Sequence, residues 1–475
     1  MVFAVAALLA VWGGLGLTLL LLGRGGANDP PGAGELLCLS MLLGLITVTG
    51  VLFLTGLIHP QAAIGAATLT CAGLGAWGVF WHHPTLTAIV TRRRTWRDWA
   101  WTFAAIVIVG GTTAVVWWFA DHGNLGFDGV AVWEIKARLA EVHHGTIPSG
   151  YYSDVTRAWS HPLYPPFVPL AEGWVYRWVG HPDQQAALLL FPVIFAVGAG
   201  LLWVGGRRLT GRRLPAAVGP LLLLAVPLIT FGDGAASTGY ADVPLSVCYL
   251  GAVVFLLDHL VHGRSSSLRL AAALATALPW IKQEGLVLFG GLVVVTVGAY
   301  LLRERRGAVS RATAAASIIG FCMPGLVVAV GWRVFLARVD AIEEHDYLPY
   351  TWHTFSGHLG RVGTIASRLV DELSLWERWA LLWPWFGVTA IVWIVVRRGS
   401  ALRAAPLLVV LPMAADCGVY LFSAWTPFEA HIDSSLSRLL LQLAPVAVLL
   451  IAMSLPRGRM APTPDRSAIT TEGGE

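Results

Sequence analysis

The sequence predicts an all-α polytopic membrane protein, and three observations carry that prediction. Hydrophobic residues make up 56% of the 475 and charged residues only 13%, with a mean hydropathy of +0.67; a water-facing surface of this size does not tolerate that balance. Apolar runs long enough to cross a bilayer recur along the whole chain. Between them arginine returns in every second loop, as the positive-inside bias requires of cytoplasmic loops.

With roughly 20 apolar residues needed per spanning helix, the runs define about 13 spans, at approximately 2–22, 36–58, 61–81, 99–120, 186–204, 214–231, 243–261, 268–281, 285–302, 312–336, 376–396, 404–423 and 436–455. The first run has no charged leader and no small-residue cleavage site, so it reads as a retained span. Arg24, Arg92 to Arg94, the group Arg207, Arg208, Arg212 and Arg213, then Arg264, Arg269, Arg303 to Arg306, Arg397, Arg398, Arg457 and Arg459 mark the cytoplasmic loops. Many of the 22 tryptophans fall at span ends, where indole prefers the membrane interface. The five cysteines, Cys38, Cys71, Cys248, Cys322 and Cys417, all lie in apolar runs and read as small hydrophobes. A net charge of +4, spread over short clusters without interleaved aromatics, excludes a nucleic-acid partner. The tail, 456–475, is rich in Pro, Ser and Thr and reads as a disordered cytoplasmic end.

On the face opposite the arginines lie the segments that are more than connectors: 121–185, 232–242, 281–285, 337–375 and 423–435. Most of the acidic residues are there, including Asp128, Glu134, Asp154, Glu172, Asp233, Asp242, Glu284, Glu343, Glu344, Asp346, Glu429 and Asp433. Positive-inside insertion accounts for the missing arginines but says little about acids, which points to a site on that face.

Within Asn124 to Leu139, the apolar residues Val130, Trp133, Ile135 and Leu139 recur at helical spacing, so an amphipathic helix on the membrane is expected with Asp128 near its start. There Asp128 is either a helix cap or a general base for an acceptor hydroxyl. Lysine usage bears on the choice. Of 32 basic residues only Lys136 and Lys282 are lysine, both on this face and beside acids. A compact ammonium approaches one phosphate oxygen as a point charge, which a planar guanidinium does not replace.

The stretch WSHPLYPPFVPL from Trp159 to Leu170 holds four prolines and must run extended or in turns, projecting Arg157, His161 and Tyr164 from a stiff loop. Asp242, followed by Pro244, is expected to cap the next helix. IKQEG breaks two apolar runs near the bilayer surface, where Lys282 and Glu284 must be paired or face water. Arg438, behind His431 and Asp433, lies inside the extracytoplasmic end of the last span against the positive-inside bias, and so favours an anion-facing role.

Taken in order, FDGVAVWEIKAR, HPLYPP, GYADVPL, WIKQEG and SLSRLLLQLAP resemble the bacterial GT-C glycosyltransferases of the protein O-mannosyltransferase and lipid A aminoarabinose transferase type, over about residues 99 to 455. The resemblance implies a GT-C fold with juxtamembrane helices in the first large loop, preceded by a three-span extension, 1–98. It implies transfer of a sugar from a polyprenyl-phosphate carrier to an acceptor outside the cytoplasm, in a bacterial cytoplasmic (inner) membrane, with Asp128 as the catalytic acid of the first extracytoplasmic loop. Candidate phosphate and substrate contacts are Lys136, Arg157, His161, Tyr164, Lys282, Glu284 and Arg438, with Glu134, Asp242 and His431 as secondary candidates. Gly129 stands where the protein mannosyltransferases have the second residue of an acidic pair, which favours a glycan or lipid acceptor over a peptide. Phosphate is a competent leaving group, so no metal is required, while Asp128 and Glu134 leave room for a divalent cation. The alternative class is a polytopic lipid or small-molecule transporter or flippase, which predicts charges at matching depths in related halves; no such pairing occurs in the sequence.

Overall fold

The computed structural model describes residues 2–23, 30–91, 95–343, 345–396 and 401–455. Arg24, Arg92 to Arg94, Arg397, Arg398, Glu344 and the tail 456–475 lie outside the described residues. Helices α1 (Val2–Leu22), α2 (Ala33–Gly56), α3 (Ala63–Trp81) and α4 (His83–Thr91) lead to α5 (Trp96–His122), which Thr95 and Asp98 open with a reciprocal capping box. A π-helical turn, Gly129–Glu134, runs into α6 (Ile135–Val142). The short α7 (Ser149–Ser153), then α8 (Phe167–Val179) and α9 (Gln184–Leu188), complete the first large loop.

The centre of the chain forms α10 (Leu190–Thr210), α11 (Arg213–Leu224), α12 (Pro227–Thr230), α13 (Asp242–His262), α14 (Ser265–Ile281), α15 (Gly285–Arg305) and α16 (Arg311–Arg338). The remainder is α17 (Trp352–Gly357), α18 (Val362–Ser374), α19 (Trp376–Trp379), α20 (Leu382–Val396), α21 (Leu407–Val419) and α22 (Phe428–Ser454). Among the described residues no strand forms, and one isolated bridge joins Tyr347 to Ser423.

Ten helices are long and apolar enough to cross a membrane, so the chain is a polytopic helical membrane protein, with three fewer full-length spans among the described residues than expected. The three shortfalls have local causes. The run at 214–231 splits at Ala225–Val226 because Pro227 starts a new helix, leaving α11 with 12 residues. The run at 376–396 breaks at Ala380, whose φ of 49° is incompatible with a continuing helix, leaving α20 with 15. The run at 268–281 becomes the 17-residue α14, which stops where Lys282 turns extended.

Helix α13 is the axis of the bundle: every residue from Asp242 to Leu260 is buried, as a helix apolar on all sides demands. It packs against α10, α14 and α22. The first two helices join this core directly, and α3 packs on them. Trp174 of α8 donates its indole N–H to the Ala6 carbonyl at 3.0 Å, and Trp280 of α14 donates to Thr49 Oγ at 3.1 Å.

Side-chain contacts separate the two ends of the bundle. On the arginine-bearing face, Arg208 at the end of α10 meets Glu35 at the start of α2 and Asp258 near the end of α13. Arg269 at the start of α14 reaches the last carbonyls of α1, and Arg212 reaches the Leu455 carbonyl after α22. The opposite ends of α13, α14 and α22 therefore converge on the other face, together with the loop that follows α5.

Candidate functional site

That convergence forms a chain of ion pairs. Arg438, on α22, contacts Asp128 at 2.7 Å through one guanidinium nitrogen and Asp242 at 3.2 Å through Nε. Asp242 also accepts from Lys282 at 3.0 Å and from the Gln442 amide at 2.7 Å, and Lys282 reaches Glu284 at 3.0 Å. Asp242 and Lys282 are buried, while the acids at the two ends of the chain, Asp128 and Glu284, keep side-chain exposures of 20% and 23%; of these Asp128 is the one paired with the partly open Arg438, at 15%.

Local sequence places each member. The α14–α15 reversal is closed by Gly285, where a Cβ would lie 1.9 Å from the Leu278 carbonyl oxygen; only glycine lets Lys282 turn inward so soon after the helix ends. Asp128 sits at the entry to the π-helical turn, whose i→i+5 bond from Ile135 N–H to the Val130 carbonyl shows the widened ladder. Its own backbone N–H donates to the Tyr240 hydroxyl at 3.2 Å, and the Arg438 guanidinium lies 4.8 Å from the centre of that ring. Burial pushes the Tyr240 phenol up to about 12, which keeps it a neutral hydroxyl between the two charges. Gly129 packs beneath Thr238, whose carbonyl oxygen is 2.5 Å from where a Cβ would sit. A second acid beside Asp128 has no room here.

The proline-rich loop forms one wall. His161 adopts a left-handed conformation at φ 48°, a strain of about 1–3 kcal/mol for a non-glycine residue. It is held there by Lys136, whose Nζ donates to the His161 carbonyl at 2.7 Å, and by stacking of its ring on Tyr164 at 5.1 Å. Tyr164 stacks in turn on Trp133 at 5.5 Å, and Lys282 lies 5.9 Å from its ring centre. His161 also faces Asp346 at 3.9 Å, which accepts the Trp425 indole N–H at 2.9 Å. His431 stacks on Trp425 and contacts Ser423 at 2.9 Å, tying the α22 entrance to the same wall.

Several expected roles change. Asp242 does not cap its helix: α13 has no side-chain cap, and the carboxylate joins α14 and α22 instead. The cap expectation failed because the residue lies one position inside the helix, with its side chain turned to the core. Lys136 is fully buried and bound to the loop carbonyl, so it positions His161 and does not present itself to a phosphate. Glu134 points away, taking Arg138 at 2.6 Å, Gln184 at 2.9 Å and Tyr176 at 3.3 Å, which leaves it no share in a cation site with Asp128. Arg157 pairs with Asp154 at 3.6 Å on the turn preceding the loop. Asp128, Lys282, Glu284 and Arg438 are brought together, with Tyr164 and His161 beside them. Tyr240, Gln442 and Asp346 are additions; the i, i+4 spacing of Arg438 and Gln442 on α22 was the available signal for one of them.

The class defined by this fold is a polytopic helical membrane protein with a charged, aromatic-walled site at one end of its bundle. No protein family, curated protein or solved structure matches the chain.

Proposed function

We propose that the chain is a membrane glycosyltransferase that moves a sugar from a polyprenyl-phosphate carrier to an extracytoplasmic glycan or lipid acceptor, in a bacterial cytoplasmic membrane. The observation that carries this is the Asp128–Arg438–Asp242–Lys282 chain, which couples one accessible carboxylate to two anchored cations. A phosphate arriving at Arg438 offers it a third anion, beside Asp128 and Asp242, and loosens its hold on Asp128. The freed carboxylate then accepts the acceptor's hydroxyl proton as that oxygen attacks the anomeric carbon. The bond from the anomeric carbon to the phosphate oxygen breaks with inversion, and the charge left on the phosphate is met by Arg438 and Lys282. Tyr164 and His161 supply a stacked face for the sugar.

Reconstituted protein, a radiolabelled polyprenyl-phosphate sugar and a membrane extract test the assignment. Label should pass to an acceptor, and Asp128→Asn should abolish transfer while the protein still folds. Undiminished turnover in that variant removes Asp128 as the base, and movement of the carrier without label transfer identifies a flippase.

A further inference from the structure

On the arginine-bearing face, distant from the ion-pair chain just described, a cavity of about 630 Å³ opens between the start of α2, the first turns of α5 and the end of α10. Its size falls within the range of about 300–1,000 Å³ usual for small-molecule sites. The polar end holds Arg207, Arg208, Arg264, Glu35 and Asp98.

Among the described residues the charges there are unevenly paired. Arg208 joins Glu35 to Asp258, and Asp258 also takes Arg264 at 2.7 Å. Asp98 is held by its capping box and by Arg213 at 3.5 Å. Among the described residues four arginines thus face three carboxylates, and Arg207 makes no close ion pair, acting on Asp98 only at longer range. The Arg208 Nε is in addition buried without a hydrogen-bond partner among the described residues. A buried guanidinium N–H left unmatched costs about 1–3 kcal/mol, so the site favours one more anionic acceptor.

The other end of the cavity decides which anion. Trp101 and Trp203 lie with ring centres 6.5 Å apart at the level of the arginines. Beyond them the walls are Leu37 and Ile106, exposed at 59% and 65% on helices that face the bilayer. A water-soluble anion gains nothing from such walls, whereas a lipid uses both ends. We infer that this cavity binds one anionic phospholipid of the adjoining leaflet, its phosphodiester between Arg207 and Arg208 and its acyl chain along Leu37 and Ile106.

Native mass spectrometry of the full-length protein, delipidated in neutral detergent, tests this with three probes: phosphatidylglycerol, phosphatidylcholine of the same chains, and soluble glycerol phosphate. Wild type should retain one phosphatidylglycerol, phosphatidylcholine should not be retained, and glycerol phosphate should not displace the bound lipid. Arg207→Gln should weaken retention about tenfold, the loss of one charge-assisted hydrogen bond. Arg311→Gln, at an exposed arginine at the start of α16, should leave it unchanged. Ala105→Trp, which fills the cavity without altering charge, should abolish retention. Equal retention of phosphatidylcholine, or wild-type retention by either Arg207→Gln or Ala105→Trp, overturns the inference. Displacement by glycerol phosphate does so too, showing a site for a free anion.

Discussion

Replacing Asp242 by asparagine preserves shape and removes one charge, and the ion-pair chain makes the consequence calculable. The Asp242 carboxylate is fully buried and is shared by Lys282 at 3.0 Å and Arg438 at 3.2 Å. Breaking a buried pair by neutralising one partner costs about 3–5 kcal/mol, because the other charge is left without compensation. Here Lys282 keeps Glu284 and Arg438 keeps Asp128, so the cost should fall at the low end, about 3 kcal/mol, or roughly a hundredfold in the folding equilibrium. Denaturant unfolding in mixed micelles measures it. A cycle with Lys282→Met isolates the pair: neighbours that share a charge should couple by about 1–3 kcal/mol. An Asp242→Asn protein within about 0.5 kcal/mol of wild type, the range of ordinary surface substitutions, would refute the idea that Asp242 organises the two cations. Strict additivity in the cycle would refute the Lys282–Asp242 link alone.

Two further outcomes concern stability and its pH dependence. Gly129→Ala places a methyl group 2.5 Å from the Thr238 carbonyl oxygen, a backbone atom that cannot rotate away, and should cost about 1–3 kcal/mol; Gly150→Ala, with no atom within 4 Å, should be near neutral, and equal midpoints for the two would contradict the packing account. Glu172, buried in α8 with both oxygens unpartnered among the described residues, has its carboxyl pushed well up by burial and then by the neighbouring Glu134. The folded state therefore keeps a proton that the unfolded chain releases above about pH 4.3, so stability should fall as pH rises from there to the raised folded value. Glu172→Gln should flatten that part of the pH–stability curve, and superimposable curves for variant and wild type would show that Glu172 does not titrate this way.

Much of the site was visible in one dimension because charge at membrane depth is rare. Lys282 and Arg438 stand out against an arginine-written, apolar background, and Asp128 against the span before it. What rarity does not reveal is direction. Lys136 was as conspicuous as Lys282, yet the turn of helix that buries it aims its ammonium at the His161 carbonyl, whereas the reversal at Gly285 aims Lys282 at Asp242. Asp242 carried the local marks of a helix cap, and only the approach of α14 and α22 made it the shared anion. The arginine-face cavity had no sequence mark at all, since Glu35, Trp101 and Arg208 come from three separate helices.

By itself the sequence determined that the chain is helical and membrane-spanning, because apolar length and arginine alternation are properties of composition along a line, set by the thickness and polarity of the bilayer. It also determined which charges needed partners. The tertiary structure decided who those partners are and which apolar runs stop short of a full span. Both depend on backbone reversals and helix packing that bring residues such as Asp128 and Arg438, far apart in the chain, to within 2.7 Å.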